Sequence, residues 1–147
     1  MKQRIPRRAW QQPAVGAARR PRVLVEDDHP ALAISDFSLL QEAGFDVAFC
    51  SGPGGEPTDC PVLRGARCPA LDGADVVLHD LDPRLGVAGA IRRQRPGLPV
   101  LVARHRRDDG SAEPVPEGCV PLAPDCSVRG QIEALRRATA KLIPAAR

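Results

Sequence analysis

Five short aliphatic runs constrain this chain more than anything else in it. They are VLV at 23–25, FDVAFC at 45–50, VVLH at 76–79, VLVA at 100–103 and VPL at 120–122. Each is too short for a buried helix and too apolar for a loop, so each reads as a strand. Helix signals fall between them. Pro30 stands where a helix begins without losing an N–H, and Ala33, Phe37, Leu40 and Ala43 recur on one helical face before Gly44 stops it. A weaker helix is expected between Leu85 and Arg95, which contains Gly86 and Gly89. Ser127 caps a last helix with Ile132, Leu135 and Leu142 on one face, and Pro144 ends it.

Strands and helices that alternate in this way predict a parallel sheet with right-handed crossovers. Strands this apolar suit burial on both faces. The chain is 43% hydrophobic but only 3% aromatic, so the core must be aliphatic. Its 147 residues suit one domain, placed at 22–147. Two connections depart from the pattern. Ser51–Gly73 is rich in Gly, Pro and Cys and offers no long helix, while Pro114 and Pro116 limit any helix in the crossover after the fourth strand.

The net charge of +3 is unevenly spread. Residues 1–22 carry one Lys, six Arg and no acid, which leaves the remainder at −4. Residues 1–21 read as a disordered basic N-terminal arm, because they hold prolines and no apolar period. Nucleic acid is expected as a partner only through residues 1–22. No apolar run approaches the roughly 20 residues needed to span a membrane, and no apolar core of a signal peptide follows the N-terminal charges. The expected location is the cytoplasm, with no membrane partner.

ADVVLHDLDP, residues 74–83, poses the functional question, because a buried strand there finishes in acid. The first strand also ends in acids, Glu26, Asp27 and Asp28. Sites in open parallel sheets form outside the carboxyl ends of the strands, at the topological switch point. If the first and third strands are neighbours, Glu26, Asp27 and Asp80 converge at one rim. Clustered carboxylates call for a cation, and hard oxygen ligands of this kind suit Mg²⁺.

VLVEDDHPAL, GFDVAFC, ADVVLHDLDP, GLPVLVA and the closing helix resemble, in order and spacing, the receiver domain of bacterial two-component response regulators. The resemblance covers about residues 22–142. It implies a three-layer α/β, flavodoxin-like (CheY-like) doubly wound sheet of five parallel strands in the order 2-1-3-4-5. It further implies Glu26 and Asp27 as the acidic pair, Asp80 as phosphoryl acceptor, and the backbone carbonyl of Asp82 as the last element of a Mg²⁺ site with Glu26, Asp27 and Asp80. No other cofactor is implied. The partners would be a histidine kinase or an output protein, with a homodimer as a further arrangement.

The family pattern breaks at three places. Arg104 stands where the family has Thr or Ser, Ala123 stands where it has Lys, and Val120 is nearest to its aromatic switch position. The only lysines are Lys2 and Lys141, so no shift of register supplies the missing ammonium. A guanidinium binds phosphate well, which makes Arg104 a candidate substitute partner for a phosphoryl group or for Asp80 itself.

The five cysteines include no C-x-x-C pair. Cys119 and Cys126 flank the fifth strand, while Cys50, Cys60 and Cys68 follow the second, at the other edge, so one metal site for all five is not expected. Cys50, Cys60 and Cys68 read as small buried or loop thiols. His79 should face the opposite side of its strand from Asp80, and His105 lies in the charged stretch RHRRDDG. His29 follows the acids without the glycine that would complete a cobalamin motif.

The function expected from this pattern is that of a non-enzymatic, stand-alone atypical receiver module. It would act in phosphorelay-type signalling by protein–protein contact, with phosphorylation impaired or absent. One alternative is a working Mg²⁺-dependent phosphoacceptor modified on Asp80 by a histidine kinase. Another, from a different class, is a nucleic-acid accessory protein using the basic arm.

Overall fold

The structure is a computed structural model and describes residues 10, 11, 13, 15–54 and 59–142. Five parallel strands form one sheet: β1 (Arg22–Asp27), β2 (Asp46–Cys50), β3 (Val76–Asp80), β4 (Val100–Val102) and β5 (Val120–Pro121). Their order is β2-β1-β3-β4-β5, which makes β1 and β3 central neighbours. The helices are α1 (Pro30–Glu42), the single-turn α2 (Pro69–Asp72), α3 (Val87–Gln94) and α4 (Val128–Thr139).

Alternation along the strands sorts side chains into two cores. Val23, Val25, Val76, Leu78 and Leu101 face α1 and α4, packing with Leu40, Phe45 and Leu135. Leu24, Val77, Val100 and Val102 face α2 and α3, packing with Leu71, Ala88 and Ile91. The result is the expected three layers with an aliphatic interior. Phe37 and Phe49 form a tilted ring pair at 5.6 Å.

Local chemistry fixes the helix ends. Gly44, at φ 99°, closes α1 in the left-handed conformation that only glycine adopts cheaply, and its N–H donates to the Gln41 carbonyl. The Ser127 hydroxyl accepts from the Gly130 N–H at 3.1 Å, as expected of a cap. Leu142 departs from expectation. It lies beyond α4 in a 3₁₀ turn and is half exposed, so the buried stripe of α4 is carried by Ala134 and Leu135. Between β4 and β5 the chain forms no helix; its one pairing is an isolated antiparallel bridge of Arg106 with Ala112.

The described part of the expected arm is tied to the sheet. The Arg19 guanidinium grips Asp75 with two hydrogen bonds of 2.6 and 2.9 Å, and the Gln11 N–H donates to Asp46 at 2.9 Å. Trp10 packs on the α2–α3 core and lies 5.7 Å from the Arg22 guanidinium carbon, a cation–π distance. Residues 1–9, 12 and 14, the rest of that arm, fall outside the described residues.

Candidate functional site at the acidic rim

β1 and β3 deliver their acids to the same end of the sheet. Asp27 pairs in register with Asp80, and Glu26 with His79. Successive side chains on a strand point to opposite faces, so these two pairs part company. Asp27 and Asp80 belong to the α1–α4 side at the rim. Glu26 and His79 turn into the α2–α3 side, each only 3% exposed, with Nδ1 of His79 2.7 Å from Oε1 of Glu26.

The expected trio of Glu26, Asp27 and Asp80 is therefore corrected. Glu26 shares the parity of Leu24, a core residue, and its carboxylate is buried against an imidazole. Asp28 joins Asp27 and Asp80 instead, because it follows β1 and stands clear of the sheet, 56% exposed at its side chain. The alternation from Leu24 was the signal that placed Glu26 inward. His79 does face away from Asp80, as its position predicted.

The rim carboxylates are held in different ways. Asp27 is nearly buried, and its Oδ1 accepts the His29 N–H at 2.8 Å. Burial pushes its carboxyl above the ordinary range against the pull of that N–H, and the charges of Asp80 and Asp28 add to the rise. Asp36 on α1 is raised in the same direction, first by burial and then by Asp27 and Asp80. The Nδ1 of His29 lies 2.7 Å from Asp28. Asp82 caps the 3₁₀ turn Pro83–Leu85 and pairs with Arg84 at 2.7 Å, which lowers its carboxyl pKa. The Asp82 carbonyl, the expected fourth metal ligand, accepts the Leu85 N–H at 3.0 Å and so closes the same turn.

Asp80 is engaged by a residue that the sequence shows only as part of the charged stretch RHRRDDG. Nε2 of His105 lies 2.8 Å from Asp80 Oδ1. The hydrogen bond to Asp80 raises the imidazole pKa, against a smaller lowering from burial, and Asp80, Glu113 and Asp125 add attraction. Arg104, a candidate partner for Asp80, does not bond to it. Its Nε donates to the Leu122 carbonyl at 2.7 Å, fastening the end of β4 to the chain after β5. The two positions are consecutive, and that single step directs His105 to the pocket and Arg104 across the strand ends.

A cavity of about 500 Å³ opens over these groups, lined by Asp28, His29, Asp80, Asp82, Arg84 and His105 among others. The donors fit a hard cation: Asp27, Asp28 and His29 bring ligand atoms mutually within 4.8 Å, and Asp80 stands beside Asp27 on the neighbouring strand. Asp27, Asp28 and Asp80 are the residues that would hold Mg²⁺, with Glu26 removed from the set. No helix among the described residues is long and apolar enough to cross a membrane.

No family model matches the chain, and no curated protein matches it. Solved structures do. A response regulator receiver domain protein from Clostridium thermocellum is 18% identical at a TM-score of 0.58, covering 82% of this chain and 95% of that one. A putative pilus assembly protein from Burkholderia thailandensis is 21% identical at a TM-score of 0.56, covering 82% and 98%. The chemotaxis protein CheY4 of Vibrio cholerae is 18% identical at a TM-score of 0.53, covering 82% and 99%. With its strand order and its two helical layers, the chain adopts the CheY-like, flavodoxin-type fold of response-regulator receiver domains.

Proposed function

We propose that this chain is a receiver-type signalling module that works by protein–protein contact, with its acceptor-position carboxylate held by an internal imidazole. The observation that carries the reading is the 2.8 Å contact between His105 Nε2 and Asp80 Oδ1. An acceptor carboxylate must bring a lone pair to the phosphorus. Here one of its oxygens is occupied by a side chain of the same chain. When protonated, His105 brings a positive charge beside Asp80, and the bond to Asp80 favours that form. That charge stabilises the unmodified carboxylate, so it favours the resting state over the modified one.

Bound Mg²⁺ would neutralise charge among Asp27, Asp28 and Asp80 and would screen the oxygens of a transferring phosphoryl group. His105 holds Oδ1, so attack on phosphorus would come from the other oxygen of Asp80 or follow a movement of His105. Arg104 would stay with Leu122 and tie the β4 end to the β5 end. Those two ends would then stay fixed together whatever the state of Asp80.

The second reading is an active phosphoacceptor, with a histidine kinase as its donor. The specific observation in its favour is that Asp80, the register neighbour of Asp27, lines an open cavity. Full-chain protein treated with acetyl phosphate and Mg²⁺, then weighed intact, separates the two. Little or no phosphoryl adduct supports the held-carboxylate reading. A high-yield single adduct, abolished by Asp80→Asn, establishes the active acceptor.

A further inference from the structure

We propose that His29 is a metal ligand, and that with Asp27 and Asp28 it makes the acidic rim a site for a borderline divalent cation of the Zn²⁺ class in preference to Mg²⁺. Such a site shares the rim named above for Mg²⁺ and rests on that placement, but not on phosphoryl transfer to Asp80.

The three donors come from one short turn. Asp27 ends β1, and His29 stands immediately before Pro30, which opens α1. His29 occupies the capping position of that helix, yet its side chain makes no capping hydrogen bond. Its backbone N–H donates to Oδ1 of Asp27 at 2.8 Å and folds that carboxylate back over the turn. The imidazole meets the same oxygen from its other end. Nδ1 of His29 lies 3.5 Å from Asp27 Oδ1 and 2.7 Å from Asp28 Oδ1, and the three ligand atoms are all within 4.8 Å of one another. Ligands held about 2.0–2.2 Å from a zinc ion stand roughly 3.0–3.5 Å apart, so both imidazole spacings are close to those of neighbouring ligands. Asp27 is only 7% exposed, and its other oxygen accepts no hydrogen bond among the described residues. A buried carboxylate left so is satisfied by a cation.

The chemistry of the donors selects the ion. Mg²⁺ prefers oxygen and keeps several waters, whereas imidazole suits Zn²⁺ and its transition-metal neighbours. Asp80, the oxygen donor that Mg²⁺ would share with Asp27 and Asp28, already has Oδ1 at 2.8 Å from His105. His29 offers a nitrogen in its stead. One imidazole and two carboxylates leave a fourth position for water, as in open zinc sites. Asp28 and His29 line the cavity of about 500 Å³, and their side chains are 56% and 70% exposed, so an ion reaches them from solvent without any movement of the sheet. On binding, the ion takes the place of any proton on Nδ1, which leaves to solvent, with no change of oxidation state.

The test uses the metal-free full chain with Zn²⁺, Co²⁺ or Mg²⁺ as the probe. One equivalent of Zn²⁺ should bind in a large excess of Mg²⁺ and shift the Nδ1 resonance of one of the three histidines. His29→Gln should remove that resonance and weaken Zn²⁺ binding at least about ten-fold, with a far smaller change for Mg²⁺. Co²⁺ should give the visible bands of nitrogen and oxygen coordination without sulfur-to-metal charge transfer. That spectrum needs no variant and separates the rim from the five cysteines. Displacement of Zn²⁺ by equimolar Mg²⁺, a thiolate charge-transfer band, or wild-type Zn²⁺ affinity in His29→Gln would overturn the role of His29 while leaving Mg²⁺ at the rim. Zn²⁺ and Mg²⁺ affinities both unchanged in Asp27→Asn and Asp28→Asn would overturn the rim as a metal site, and His29 with it.

Discussion

His105 Nε2 and Asp80 Oδ1, from the chain after β4 and the end of β3, stand 2.8 Å apart at the mouth of the acidic cavity. The pair joins two strand-end segments that belong to separate loops. Its consequences can be measured in several ways.

The first is a pH dependence of stability. The folded-state pKa of His105 is raised, chiefly by Asp80. Its contribution is therefore complete below the unfolded imidazole value of about 6.5 and is lost as pH rises through the folded value. The His105 side chain is 60% exposed, so solvent keeps the gain near the low end of about 0.2–1 kcal/mol. Urea melts compared between wild type and His105→Gln should show a small excess stability of wild type in mild acid that fades toward alkaline pH. Asp27 and Asp36, both raised, add stability as pH falls further through their folded values. Their effect should persist in His105→Gln.

Glu26→Ala tests the corrected placement of that carboxylate. It leaves the buried His79 without its partner, and an unsatisfied buried polar group costs about 1–3 kcal/mol. The denaturation midpoint should fall accordingly, while weak Mg²⁺ binding at the rim stays as in wild type. Loss of Mg²⁺ binding without loss of stability would return Glu26 to the rim.

The fold and the outline of the site were legible in the sequence, and the reasons are physical. Aliphatic strands and the caps at Gly44 and Ser127 follow from local rules, and all five strands appear within a residue or two of their expected limits. What failed was parity. Three successive acids, Glu26, Asp27 and Asp28, leave the last inward position ambiguous unless the alternation is counted from Leu24. The partner of Asp80 was missed because His105 lies outside any regular element, where no period fixes a side chain's direction. Arg104 was assigned by charge, and its bond to the Leu122 carbonyl depends on how β4 and β5 end in space.

Gly118 gives a test of the chain between β4 and β5. It sits at φ 82°, and a Cβ there would meet the Arg92 guanidinium at 2.6 Å. Left-handed backbone alone costs a non-glycine residue about 1–2 kcal/mol. Gly118→Ala should therefore lower the melting temperature by several degrees. An unchanged midpoint would mean that Arg92 does not pack over this turn.

Trp10 reports on the segment before β1. It is the only tryptophan, and it packs on the α2–α3 core beside Arg22. Asp75, which burial alone would raise, is held low by Arg19, so that clasp lasts until pH falls below the ordinary carboxylate range. Asp75→Ala should shift the Trp10 emission toward that of a solvated indole at neutral pH, with little change in far-UV circular dichroism. Emission identical to wild type would show that the Arg19 clasp does not seat Trp10.

The most direct measurement of the central claim is phosphoryl incorporation at Asp80 in wild type and His105→Ala, both treated with acetyl phosphate and Mg²⁺ and weighed intact. If His105 holds the acceptor, wild type should carry little adduct, and His105→Ala should carry at least several-fold more, all of it removed by Asp80→Asn. Equal labelling of the two proteins, or a high yield in wild type, would contradict the account.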